Sequence, residues 1–171
     1  MNVSRKAFFA VIFALAAVFL LAGCAHVISK QTLEEVDTSV TFAQVAQDPD
    51  AYKGETVLFG GDIIEAQNLP DETLIIVLQH PLGRRGEPAA GDVSEGRFIL
   101  RDPGFLDPAI YSPGRKITVA GTVVGKEVRP LGEIEYTYPI IKKRELYLWP
   151  QDESATQEPK VHFGFGVGVG F

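Results

Sequence analysis

Arg115-Lys116-Ile117-Thr118-Val119-Ala120-Gly121-Thr122-Val123-Val124-Gly125-Lys126 is the stretch that decides how this chain folds. On an extended backbone Ile117, Val119, Gly121 and Val123 share one face, and Thr118, Ala120, Thr122 and Val124 share the other. A two-residue period built from β-branched side chains reads as a strand, not a helix.

Working back from this strand, Ser112-Pro113-Gly114 is a turn, and Asp107-Pro108 offers an N-cap with proline in the first helical position. One short helical turn is expected from there to Tyr111. Asp102-Pro103-Gly104 breaks the chain after a strand over Arg97 to Leu100. Pro81 to Glu95 is a long loop with glycines at 83, 86 and 91. Thr73 to Leu78 is continuously apolar, as in a strand covered on both faces. Asn68-Leu69-Pro70-Asp71 has turn chemistry, and Thr56 to Glu65 is a strand in which Gly60-Gly61 implies a bulge or a close backbone approach. Before it, Thr41 and Gln44 have capping-box spacing ahead of Phe42, Val45 and Ala46, and Asp48-Pro49 ends that short helix.

Forward of the strand, Pro130 to Gly132 turns the chain. Ile134 to Trp149 is aromatic and interrupted by Pro139 and by Lys142-Lys143-Arg144, so it is either one bent strand or two. Five strands with a short helix between the third and fourth is the order of an OB-fold. The expected fold is mainly β: a small OB-fold-like, five-stranded, partly open barrel with short helices, preceded by an N-terminal signal helix. A small β-sandwich is the alternative.

The chain divides into residues 1–23, a signal peptide; 24–40, a lipidated tether; 41–150, the β domain; and 151–171, a polar linker and a Gly/aromatic tail. Arg5 and Lys6 precede an apolar run from Ala7 to Ala22, shorter than the roughly twenty residues that cross a bilayer comfortably. Leu21-Ala22-Gly23-Cys24 resembles a bacterial lipobox, with the cut between Gly23 and Cys24 and acylation on the Cys24 thiol. Each buried methylene contributes about 0.8 kcal/mol of membrane affinity, so the acyl chains of such a lipoprotein hold it firmly. Ala25 instead of Asp after the cysteine implies, by resemblance to enterobacterial sorting, the outer membrane. The alternative for Cys24 is an apolar residue within an uncleaved signal anchor.

Removing the leader leaves 148 of the 171 residues, one domain's worth. It also removes two positive charges and no acid, taking the net charge from −6 to about −8. Such an acidic chain is a poor match for phosphate backbones. No nucleic-acid partner is therefore expected, although Phe98, Tyr136 and Tyr138 are of the type that stacks on bases. With Cys24 acylated no thiol is left for a disulfide or a metal. His26, His80 and His162 lack metal-ligand spacing, so no metal or cofactor is expected.

Two constellations carry chemistry by residue type. Glu133 and Glu135 would fall on one face of a strand, a pairing suited to acid–base work; the competing reading is a solvated edge that resists aggregation. Arg84, Arg85, Arg97, Arg101 and Arg115 are candidates to cluster around an anionic sugar or carboxylate, the first three beside the 81–95 loop, against the reading of separate surface charges. Neither a nucleophile elbow nor a phosphate-binding loop occurs. In the tail, Phe163, Phe165, Val167, Val169 and Phe171 alternate with glycines, reading either as a mobile end or as a strand that adds to another sheet or to the membrane.

The mature chain resembles the Slp family of outer-membrane lipoproteins, named for a starvation-inducible member. The matching pieces follow in order: the lipobox; Tyr52-Lys53-Gly54-Glu55-Thr56-Val57 leading to Gly60-Gly61-Asp62-Ile63; Pro81-Leu82; Gly96-Arg97-Phe98; Leu106-Asp107-Pro108 with Tyr111; Gly114-Arg115 leading to Thr118-Val119-Ala120-Gly121; Gly132-Glu133 with Tyr136 and Tyr138-Pro139; and Leu148-Trp149. The resemblance implies a β-barrel-like domain in the cell envelope and supplies no catalytic residues. The expected function is a non-enzymatic, lipid-anchored outer-membrane protein facing the periplasm, tied to membrane lipid through acylated Cys24 and to an envelope protein as partner, with a role in starvation or stress. A periplasmic hydrolase using Glu133/Glu135 and a small-ligand binding module using the 81–95 loop are the alternatives.

Overall fold

A computed structural model describes residues 26–151. The leader, Cys24 with the cut before it, His162 and the Gly/aromatic tail lie outside the described residues. The five strands are β1 (Thr56–Asn68), β2 (Thr73–Gln79), β3 (Arg97–Asp102), β4 (Lys116–Leu131) and β5 (Ile134–Leu148). They close in the order β1-β2-β3-β5-β4, all antiparallel except for the parallel β3–β5 pair. This is the OB order. The barrel is closed, not partly open, because Ile99–Arg101 pairs with Ile140–Lys142 and seals the last seam.

Ile117, Val119 and Val123 of β4 face inward as their period requires, packing with Phe59, Ile75, Val77, Phe98, Leu100 and Ile141. Leu74 of β2 and Ile99 of β3 face outward and are covered by Tyr138. The β2 run is thus buried on both faces, as its continuous apolarity demands. Gly60 and Gly61 mark close approach and not a bulge. A Cβ at Gly61 would lie 1.8 Å from the Leu78 carbonyl oxygen, while the irregularity of β1 comes later, between Ile63 and Glu65.

The long aromatic segment is one strand, β5. Up to Pro139 it pairs with β4 alone, so one side carries no ladder and a missing N–H is tolerated there. β4 and β5 run past the barrel as a hairpin closed at Gly132-Glu133, where Gly132 has φ +63°, suited to the first central position of a type II′ turn.

One end of the barrel is capped by helix α2 (Phe42–Gln47), with the Thr41–Gln44 capping box formed. Phe42 enters the core edge-on to Phe59, with ring centroids 5.2 Å apart. The helical turn expected at Asp107 is only a turn. Asp107 Oδ1 accepts from Ala109 N at 2.9 Å, but Pro113 keeps Ser112 out of helical space, and Leu106 and Tyr111 cover the core in irregular backbone.

The stretch read as a tether has structure of its own. Ile28 is 1% exposed, Ser29 caps helix α1 (Lys30–Leu33), and Asp37 N donates to Thr56 O at 2.9 Å. Ser29 also reaches Glu145 through its N–H (2.9 Å) and hydroxyl (2.7 Å), and Glu35 pairs with Arg144. From residue 26 onward the segment is a belt on the barrel wall.

Candidate functional site

The 81–95 loop begins as a miniature hairpin. Leu82 bridges to Pro88, Gly83 N donates to Glu87 O at 2.8 Å, and Gly86 N donates to Gly83 O at 2.9 Å. Arg84 and Arg85 occupy its exposed tip. Gly86 has φ +85°, and a Cβ there would lie 2.7 Å from His26 Cε1, so the N-terminal belt sits directly on this turn. Val27 N donates to Arg85 O at 3.1 Å. From below, Thr118 Oγ1 donates to Gly86 O at 2.5 Å and accepts from Trp149 Nε1 at 2.9 Å.

A second network holds the rest of the loop. His80, 2% exposed, donates from Nδ1 to Val93 O at 2.8 Å, and its Nε2 lies 3.5 Å from Asp62 Oδ2. Asp62 Oδ1 in turn meets Lys116 Nζ at 2.9 Å, and Lys116 donates to Ala89 O at 3.3 Å. His80 thus ties the loop to Asp62 on β1. Between loop and barrel end lies an open hollow of ≈ 600 Å³ bordered by Arg85, Ala89, Lys116, Tyr147 and Trp149.

Of the five arginines expected to cluster, only Arg85 borders this hollow. Arg97 is half-buried on β3, where its N–H donates to Tyr136 Oη at 2.9 Å. These arginines therefore form no single anion site. Arg101 instead grips Glu72 with two bonds of 2.9 and 2.6 Å and holds that carboxyl below its ordinary range. Arg115 donates to Ile110 O at 3.1 Å and Trp149 O at 2.8 Å.

Glu133 and Glu135 do not share a strand face. Glu133 is in the hairpin turn, Glu135 is the second residue of β5, both are exposed, and neither side chain has a hydrogen bond or ion pair among the described residues. Among these residues no group of three His, Cys, Asp or Glu side chains is placed to hold a metal.

At the other end of the barrel Asp102 is 0% exposed. Its Oδ1 accepts from Gly104 N at 2.9 Å, and Lys143 Nζ lies 2.5 Å from Oδ2 as an ion pair without regular hydrogen-bond angles. Thr73 Oγ1 donates to Gly104 O at 2.8 Å and accepts from Leu106 N at 3.1 Å. These groups tie the irregular 103–115 segment to the barrel mouth. On the outer β2–β3 face, where OB barrels take oligonucleotides and saccharides, Tyr136 and Tyr138 pack as an edge-on pair 4.7 Å apart and fill the surface.

Sequence reasoning missed the Asp62–His80–Lys116 and Asp102–Lys143 groupings. Both depend on register: Asp62 opposite Lys116 on β4, and Gly61 opposite Gln79 beside His80. The one available signal was an acid at an inward position of an apolar strand, which applies to Asp102.

The model of the outer membrane lipoprotein Slp family matches residues 21–166. The chain is 28% identical over 134 residues to the outer membrane protein Slp of Escherichia coli, covering 77% of this chain and 70% of the relative. It is 26% identical over 141 residues to the uncharacterized lipoprotein YeaY of the same species, covering 82% and 72%. A protein of Haemophilus influenzae matches at 29% identity over 140 residues, covering 81% and 75%. With the family model matching residues 21–166 and a closed five-stranded barrel within that span, this chain belongs to the Slp family of outer membrane lipoproteins.

Proposed function

We propose that the protein is a non-catalytic envelope lipoprotein, moored through acyl chains on Cys24 after cleavage behind Gly23, with its barrel on the periplasmic side of the outer membrane. It acts there by supporting the envelope or by contact with an envelope protein under nutrient stress. The observation that carries this reading is how the acidic groups are used. Asp102, Glu72, Asp62 and Glu145 hold the barrel, its loops and its belt together, while Glu133 and Glu135 stand alone at an exposed tip. A hydrolase of the paired-carboxyl kind needs both groups facing one substrate bond, and this pair faces solvent.

Mass spectrometry of the protein purified from membranes tests the mooring. The expected result is a chain that starts at Cys24 and carries fatty acyl groups; a free thiol or a retained leader overturns it. Fractionation of a Cys24→Ser variant should show loss of the outer-membrane pool.

A second reading, a small-ligand module at the 81–95 loop, is favoured by the hollow beside Arg85, Tyr147 and Trp149. Ligand-induced protection of Trp149 fluorescence, lost on Arg85→Ala, would support it over the purely structural role.

A further inference from the structure

We infer that the barrel has a fixed membrane-facing side: the Arg84-Arg85 tip and the neighbouring edge carrying Tyr147, resting on lipid headgroups. The inference builds on acylation of Cys24 and concerns what the short anchor then does to the body. His26 is seated on Gly86 and Val27 is bonded to Arg85 O, so the belt leaves the barrel at this tip. Two residues of chain span at most about 7 Å, so a sulfur embedded through its acyl chains holds this surface against the headgroups. An ordinary flexible tether would let the barrel tumble; here the belt is fixed up to its last two residues.

Three features of the surface fit that position. The tip is cationic, with Arg84 and Arg85 exposed and free of ion pairs among the described residues, suited to headgroup phosphates. Glu87 shares the hairpin and borders the hollow, while Asp92 and Glu95 lie farther along the loop, so the turn itself keeps a net positive charge from its two arginines. Tyr147, half-buried beside the hollow and backed edge-on at 5.0 Å by the buried Trp149, is of the residue type that settles at the boundary between lipid and water. Pro150, next to the last described residue, borders the same hollow. The β4–β5 hairpin tip is at the opposite end of β5, tens of ångströms along the strand at about 3.3 Å per residue. It faces away from the lipid.

The test uses the acylated full-length protein reconstituted in vesicles of phosphatidylethanolamine and phosphatidylglycerol. Single-cysteine variants Ala89→Cys and Glu133→Cys carry an environment-sensitive fluorophore, since Cys24 is consumed by acylation. A headgroup-borne quencher should quench the label at position 89 at least about threefold more than the label at 133. Equal quenching, or stronger quenching at 133, overturns the inference. Arg84→Glu with Arg85→Glu should leave the protein on the vesicles yet reduce quenching at position 89 about twofold or more, whereas Arg→Lys at both sites retains it. Unchanged quenching in the charge-reversed protein overturns the role of the tip. Failure of the anchor reading is separate and visible: the purified protein then lacks acyl mass and does not sediment with the vesicles.

Discussion

Gly61 has no room for a side chain, because the Leu78 carbonyl oxygen occupies the place of its Cβ at 1.8 Å. Gly61→Ala must push β1 and β2 apart, at a cost of about 3 kcal/mol, readable as a lower denaturation midpoint with an unchanged slope. Asp102 is the second sensitive position. Breaking a buried ion pair from one side costs about 3–5 kcal/mol, and the lower end applies because the Lys143 side chain is 27% exposed and keeps some water. Asp102→Asn should therefore cost about 3 kcal/mol, while Asp102→Asn with Lys143→Met should recover part of the loss in a double-mutant cycle. The need for glycine at 60–61 was legible from the pair of glycines in an apolar strand. The partner of Asp102 was not, since nothing local links it to Lys143 until β3 and β5 lie side by side.

The N-terminal belt is the element with most to lose at low pH. Burial pushes the Glu145 carboxyl upward, but hydrogen bonds from Thr32 and Ser29 outweigh it and leave the folded value below the ordinary 4.5. A depressed carboxylate contributes stability that is present above about pH 4.5 and is lost as pH falls through the lower folded value. Stability should decline on that acid side, and Glu145→Gln should flatten the decline in thermal unfolding measured against pH. Ile28→Ala should cost about 2 kcal/mol and speed proteolysis within residues 26–40 while the barrel resists. The belt was illegible because one buried isoleucine in a polar stretch has no period, and its partners at Thr56, Arg85 and Glu145 are distant in sequence. Helix α2, by contrast, announced itself through Thr41 and Gln44, three residues apart.

For the whole molecule, strand number and order were readable because Ile117, Val119 and Val123 alternate cleanly and each turn carries Gly, Pro or Asn. Closure was not, as no local pattern reports the meeting of Ile99 with Ile140. Glu133 was placed on a strand face because a two-residue turn and a strand start look alike without φ values. Glu133→Gln with Glu135→Gln should leave unfolding midpoint and membrane fractionation unchanged, within about 0.5 kcal/mol for exposed sites; loss of a measurable turnover in that variant would reverse the non-enzyme reading.

The parallel seam also bears on when the barrel can close. If the chain is exported as proposed above, Ile99 meets Ile140 only after the last strand has emerged, and contacts distant along the chain form slowly. A chain whose closing stave comes last stays threadable during export and sets into its rigid shape only once the whole of it has crossed.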